Sequence, residues 1–420
     1  MSYSLIRFTL KGWIEEQYVL PKLYFPYYGF EWVQHPGALG IYCLFGLAFL
    51  GATGILLGYY YRLSAIVFFL SFTYIELIDK TNYLNHYYFV SIVAFLIIWL
   101  PLNGRLSIDV WRGKSAYIET VPAWMVNVIK LQLAIVYCYA GMAKLNHDWM
   151  IDALPLKIWL KAHVDFPLLG VLLAKDWVAY FFSWFGVIYD LSIVFFLMYR
   201  KTRPFAYFFV VSFHLMTWLL FPIGVFPWVM IAFSTIFLNE QAHEKILRKV
   251  SSTFHFGESG EVAVSYSGTS RSSGILHWVM ILFMAFQLLF PWRYLLYPGN
   301  LFWTEEGYRF SWRVMLMEKA GYATFYVTNP VTSNRSQVRN SDYLTQKQEI
   351  MMVTQPDMIW QYAQILEKDY QLKGIKDPIV TAEVYVTLNG RRSQQLIDPR
   401  VDLTTVSEDF AAKNWILSAP

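Results

Sequence analysis

Lys144 is the residue whose type and surroundings most clearly allow chemistry. It lies in GMAKLNHDWM, residues 141–150, directly after a very apolar run. Burial disfavours the charged form of an amine, so a lysine at such a position can act as a base near neutral pH. A lysine at a helix end can equally serve as a cap and as an anchor at the membrane interface. Spacing alone leaves both interpretations open.

Other polar groups also lie in apolar surroundings. The segment ELIDKTNYLNHYYF, residues 76–89, contains Asn85 and His86. Its residue types also fit an interfacial loop with an Asp79–Lys80 pair. His214 falls within another apolar run, where a histidine more often makes a helix–helix contact than it catalyses. Function is therefore one of two interpretations at each position.

Asp190 and Glu76 are carboxylates within apolar runs, and they are compatible either with a structural ion pair or with a functional role. No disulfide framework is expected from two cysteines in apolar runs, Cys43 and Cys138. His147 and Asp148 are neighbours and do not face each other on a helix. No metal site is predicted.

The composition of the chain is that of a membrane protein. Of its 420 residues, 56% are hydrophobic and only 15% are charged, whereas soluble proteins average about 25% charged. The mean hydropathy is +0.36. A net charge of +4, scattered along the chain, gives no indication of nucleic-acid binding. A disordered chain and an ordinary soluble enzyme are excluded.

Eight apolar runs have lengths near the ~17–25 residues that a helix needs to cross hydrocarbon. Residues 1–10 resemble the end of a further span, so we expect an α-helical polytopic membrane protein with about eight to nine transmembrane helices. The apolar runs are 40–58, 63–78, 84–102, 125–143, 178–199, 205–221, 223–238 and 275–291.

Loop charges predict the orientation. The loops after the first, third, fifth and seventh runs hold eleven Lys and Arg residues, against five in the opposite loops. The positive-inside rule places the eleven in the cytoplasm, which puts Lys144, His86 and the C-terminal region on the outer face. We expect short helices over 144–177 on that face and a cytoplasmic Ser/Gly-rich linker over 250–274.

The last part of the chain has a different composition. Charged residues number 27 among residues 300–420 and 37 among residues 1–299. We therefore predict a transmembrane helical domain, 1–299, that carries the active site, and a soluble β-rich extracytoplasmic domain, 300–420. Alternation over 379–388, followed by Asn389-Gly390, predicts a hairpin with residues 394–396. One helix is expected, over 358–368.

Taken together, several segments resemble the vitamin K-dependent γ-glutamyl carboxylase family, in the bacterial branch that shares its membrane domain. They occur in the family's order over roughly residues 40–410. The segments are GATGILLGYYYR (51–62), DKTNYLNHYY (79–88), VYCYAGMAKLNHDW (136–149), SFHLMTWLLFPIGVFPWVM (212–230), GYRFSWRVMLM (307–317) and IDPRVDL (397–403).

The resemblance implies a role for particular residues. It makes Lys144 the base that deprotonates vitamin K hydroquinone, and it makes His86 a residue that supports carboxylation. The residues that it implies in cofactor binding are Asn85, His214, Tyr308, Trp312 and Met315. Two departures stand out: Ala143 where a second lysine is common, and Arg313 where an acidic residue is usual.

The implied reaction converts protein glutamate to γ-carboxyglutamate with CO2 and O2, coupled to epoxidation of vitamin K hydroquinone of the menaquinone or phylloquinone type. The partners would be a glutamate-containing peptide or protein and the lipid bilayer, in a bacterial inner membrane. Two alternatives remain open. The first is a homologue that epoxidises the quinol without carboxylating glutamate, and the second is a non-enzymatic membrane binding module.

Overall fold

The computed structural model describes residues 1–254, 264–265 and 271–419. Most of the linker that the sequence predicts over 250–274 therefore lies outside the described residues. The helices and strands of the N-terminal half are α1 Ser2–Leu10, α2 Gly37–Leu57, α3 Tyr61–Ile78, α4 Asn85–Ile98, α5 Ile108–Trp111, β1 Ile118–Thr120, α6 Ala123–Ala143, α7 His147–Met150, α8 Leu156–Lys161, α9 Gly170–Leu173 and α10 Asp176–Met198.

The remaining elements complete the helical body and form the C-terminal sheet region. They are α11 Arg203–Leu220, α12 Phe226–Ser234, α13 Glu240–Phe254, β2 Val264–Ser265, α14 Arg271–Leu289, α15 Leu301–Thr304, β3 Lys319–Thr328, β4 Arg335–Gln337, α16 Gln346–Met352, α17 Pro356–Leu372, β5 Ile379–Leu388 and β6 Gln394–Gln395.

Each of the eight apolar runs falls on a helix. Within the described residues, six helices are long and apolar enough to cross a membrane, and two shorter apolar helices, Asn85–Ile98 and Phe226–Phe237, accompany them. The prediction of a polytopic α-helical membrane protein is confirmed. Residues 2–10 form the nine-residue helix α1, and its membership of a ninth span stays a prediction. The short helices expected over 144–177 are α7, α8 and α9.

The C-terminal region contains an antiparallel sheet in the order β4–β3–β5–β6. Strand β5 is buried at every second residue because α17 covers one face of the sheet. The predicted hairpin is confirmed, since β5 pairs with β6 and Asn389 and Gly390 both adopt positive φ. The expectation of one helix was wrong, because α16 packs beside α17. Strand β3 was missed because its first residues are exposed and show no alternation.

An ion cluster joins the C-terminal end of α3 to the sheet region. Lys80 Nζ and Arg309 Nη1 donate to Asp357 Oδ2 at 2.6 and 2.7 Å. Burial alone would raise the pKa of Asp357, but the two cations hold it well below its usual range. The interpretation of an Asp79–Lys80 pair was therefore wrong, and Asp79 instead accepts from Thr81 N at 2.9 Å. The division of the chain at residues 299 and 300 stays a prediction.

Candidate active site

Lys144 follows the last residue of α6, where small residues let α6 approach α10 closely. A Cβ on Gly141 would lie 2.7 Å from Leu191 Cδ2, so glycine allows this approach. Lys144 Nζ donates to Asp190 Oδ2 on α10 at 2.6 Å and to Ala140 O at 3.1 Å. The close helix contact therefore brings a base candidate and a carboxylate together.

The Lys144–Asp190 pair is almost completely shielded from solvent. The two side chains are 9% and 7% exposed. The ring of Trp149 lies 5.5 Å from Nζ and is fixed by its own Nε1, which donates to Ser183 O at 3.0 Å. A lysine and an aspartate together carry no net charge whether the shared proton resides on nitrogen or on oxygen. The pair can therefore lie buried without leaving a net charge in the interior.

Lys144 lines a cavity between α6, α10, α11 and α12, which we call the apolar cavity. The space inside it that the centre of a water molecule can reach is about 110 Å³. Its walls are almost entirely apolar and aromatic. They include Val136, Leu156, Trp159, Phe182, Phe213, Met216, Leu220, Phe221, Ile223, Phe226, Met230, Val314 and Met315.

His214 provides a second polar group in the lining of the apolar cavity. It is buried on α11, and its Nε2 lies 3.0 Å from the Tyr137 hydroxyl. Its Nδ1 has no hydrogen-bond partner among the described residues. An apolar cavity with an amine and an imidazole in its wall fits a hydrophobic ring that carries oxygen substituents. The residues present therefore fit a reduced quinone.

The other predicted cofactor contacts divide into two groups. Met315 lines the apolar cavity together with Lys144 and His214. Trp312 is 1% exposed and stacks on Tyr88 with ring centroids 5.0 Å apart, outside the lining of the cavity. Tyr308 also lies outside the lining, with its ring 6.4 Å from that of Phe302. Direct contact with the cavity is therefore available to Met315 and His214.

Asn85 and His86 lie close to the apolar cavity but outside its lining. Asn85 Nδ2 donates to Arg313 O at 2.9 Å, and its Oδ1 accepts from the Tyr83 hydroxyl at 3.0 Å. The His86 ring lies 5.8 Å from that of Phe226, which lines the cavity. The ring of His214 lies 6.1 Å from Phe226 as well. Phe226 thus separates His86 from the cavity.

A second and more polar cavity, which we call the polar cleft, adjoins the apolar cavity. Its lining includes Tyr139, Ala143, Leu145, Asn146, His147, Asp148, Tyr294, Phe302, Glu306, Ser311 and Arg313. Two chain segments run between the cavities. In one, Lys144 lines the apolar cavity and its neighbours Ala143 and Leu145 line the cleft. In the other, Arg313 lines the cleft and Met315 lines the apolar cavity. Segments 143–146 and 311–315 therefore form a partition.

Asp190 is the functional candidate whose partner the sequence did not reveal. Sequence reasoning considered it with Glu76, whereas its ion-pair partner is Lys144. The two residues are 46 positions apart on different helices, and no local pattern links them. Its occurrence in an apolar run was the only available signal.

One cluster of possible metal ligands lies at the edge of the polar cleft. His147, Asp148 and Asp152 bring their ligand atoms within 4.8 Å of one another. The Asp148 carboxylate, however, already accepts from Arg391 Nη1 and Nη2 at 2.7 and 2.6 Å. These hydrogen bonds lower the pKa of Asp148. We interpret Asp148 as part of a contact with the β5–β6 hairpin.

Together, the fold and the site define a polytopic membrane protein with a largely apolar site at one end of its helices. Residues 1–241 match the HTTM domain, and residues 272–420 match the family described as vitamin K-dependent gamma-carboxylase, lumenal domain. The chain belongs to the vitamin K-dependent carboxylase family. No solved structure matches the chain.

Proposed function

We propose that this protein carboxylates glutamyl residues of a peptide or protein, using CO2 and O2 and converting vitamin K hydroquinone to its epoxide. One observation carries the proposal. The Lys144 amine is buried in the wall of the apolar cavity, where the Asp190 carboxylate holds it in place. A structural anchor would reach toward water, and this amine does not.

Lys144 receives the proton of a ring hydroxyl, and Asp190 positions its Nζ. Oxidation of the reduced vitamin K by O2 supplies the strong base that no side chain provides near pH 7. His214, whose Nδ1 has no hydrogen-bond partner among the described residues, orients an oxygen of the ring. The hydrophobic walls exclude water, which would otherwise quench the base before it reached glutamate.

His86 and Asn85 act on the carboxylation half of the reaction. His86 lies behind Phe226, and Asn85 holds the backbone of the segment that separates the two cavities. The polar cleft receives the peptide. Its polar lining supports this role, and the charge distribution of the loops supports a position on the outer face. The family description of residues 272–420 as lumenal supports the same side.

The deciding experiment uses the full chain, purified and reconstituted in lipid nanodiscs. Reduced vitamin K, labelled bicarbonate and a glutamyl peptide are supplied, and both peptide label and epoxide are measured. Label in the peptide together with epoxide is the expected result. Epoxide without label would favour the quinol-epoxidising alternative. Neither product from folded protein would favour a binding module.

The match to the carboxylase lumenal domain favours the complete reaction, because that domain is associated with glutamate-containing substrates. Arg313 favours the quinol-epoxidising alternative, since an acidic residue is usual at this position in the carboxylase family. The proposed location is the extracytoplasmic face of a bacterial inner membrane.

A further inference from the structure

Arg313 is a buried cation that has no counter-ion among the described residues. The residue is 8% exposed, and its Nε has no hydrogen-bond partner among the described residues. Its guanidinium lies over the rings of Tyr294 and Phe302, at 4.4 and 5.9 Å from their centroids. Burial lowers the pKa of Arg313, as expected for a cation removed from water. Such a group is costly unless an anion compensates it.

Other buried cations on the same side of the protein are paired. Arg309 donates to Asp357 at 2.7 Å, and Lys319 donates to Glu305 at 2.8 Å. No carboxylate within the described residues lies within ion-pair distance of Arg313. Aromatic rings stabilise a guanidinium less than the burial of the ion destabilises it. Arg313 also shares a side-chain hydrogen bond with Tyr294, so what its contacts among the described residues lack is an anion.

The other charged groups that line the polar cleft have partners of their own and do not pair with Arg313. Asp148 is saturated by Arg391, and His147 pairs with Asp152 at 3.3 Å. Glu306 accepts from the Lys413 backbone N–H at 3.3 Å, and burial raises its pKa. Among the described residues that line the cleft, Arg313 is the cation available to a ligand.

The position of Arg313 links the cleft to the apolar cavity. Its carbonyl accepts from Asn85 Nδ2 at 2.9 Å, which fixes the backbone at the partition. Met315, two residues further on, lines the apolar cavity with Lys144. A carboxylate at Arg313 would therefore lie across one layer of chain from the apolar cavity.

We propose that Arg313 binds the side-chain carboxylate of the glutamyl residue that enters the polar cleft. A guanidinium presents paired N–H donors that match the two oxygens of a carboxylate. The identity of the peptide rests on the proposed function, whereas the anion site itself rests on the contacts above. The ligand class is a peptide that bears a glutamate side chain.

Peptide binding in the absence of quinone and bicarbonate tests this proposal. A fluorescent glutamyl peptide and its glutaminyl counterpart are titrated into the full chain in nanodiscs, and Kd is measured by anisotropy. The native protein should prefer the glutamyl peptide at least tenfold. Arg313→Gln should abolish that preference, and Arg313→Lys should retain part of it because it keeps a point charge. Arg400→Gln is the matched control, since Arg400 is 87% exposed.

Equal Kd values for the two peptides on native protein would overturn the proposal, and so would a preference that survives in Arg313→Gln. Thermal unfolding shows whether Arg313→Gln is folded. If it is not, the ratio of the two Kd values in the native protein and in Arg313→Lys tests the proposal. An Arg313-dependent preference without labelled CO2 in the product would overturn the proposed function alone. Labelled product without an Arg313-dependent preference would overturn this inference alone.

Discussion

Lys144 Nζ lies 2.6 Å from Asp190 Oδ2, and both groups line the apolar cavity. The amine is thus held by a carboxylate and also borders space that a ligand can fill. An ion pair without a cavity would be purely structural, and a cavity without a partner would leave the amine unpositioned. The coexistence of both features leads to the predictions that follow.

Lys144→Ala should abolish epoxide formation, because the group that receives the hydroquinone proton is removed. A small primary amine added to the assay should restore part of the activity by entering the space of the lost side chain. Epoxide is measured by chromatography. Lys161→Ala is the control, since Lys161 pairs with Asp176 outside the cavity. Full activity in Lys144→Ala would mean that another group is the base.

Asp190→Leu should lower the free energy of unfolding by about 3–5 kcal/mol, because an uncompensated amine remains buried. The double variant Lys144→Met/Asp190→Leu should recover most of that loss while remaining inactive. Thermal unfolding in detergent and epoxide assays report the two properties separately. Additive losses of stability in the double variant would contradict the pairing of these residues.

Gly186→Leu should raise the KM for reduced vitamin K at least tenfold and leave the KM for the peptide unchanged. A Cβ at Gly186 would meet Trp149 and Lys144 at ordinary contact distances of 3.8 and 3.9 Å, so a longer side chain would extend into the cavity. Gly46→Leu is the matched control, because its Cβ would meet open space. An equal KM in both variants would argue against quinone binding in this cavity.

His86→Ala should impair carboxylation more than epoxidation, because Phe226 separates His86 from the apolar cavity. His214→Ala should impair epoxidation as well, since His214 lines that cavity. The ratio of labelled peptide to epoxide is the measurement. His243→Ala provides the baseline, because His243 lies on α13 and lines neither cavity. A ratio unchanged in His86→Ala would remove this division of roles.

Asp357→Asn should destabilise the protein most near pH 7, and the destabilisation should shrink progressively as pH falls below about 4. The pKa of Asp357 is lower in the folded protein than the unfolded value of about 3.9, so its stabilisation is present above that value and is lost as pH falls. Thermal unfolding of native and variant protein across this range gives the comparison. Asp377→Asn changes an exposed carboxylate and should show no such trend. A difference independent of pH would contradict the ionised cluster.

The amino-acid sequence by itself determined the elements whose signals are local. Apolar runs of span length identified the helices, and alternation followed by Asn389-Gly390 identified the β5–β6 hairpin. Lys144, His86 and His214 stood out because a polar group in hydrocarbon surroundings is expensive wherever the chain folds. Strand β3 was not predicted because its first residues do not alternate between buried and exposed positions.

Tertiary structure alone decided which of these residues meet. Asp190 became the partner of Lys144 because small residues on α6 let α10 approach, and that contact depends on two distant segments. Packing in the same way separates His86 from the apolar cavity by Phe226. It also brings Arg313 into the lining of the polar cleft and Met315 into the lining of the apolar cavity. Periodicity records which face of an element is apolar, whereas the partner of that face is set by how the elements pack together.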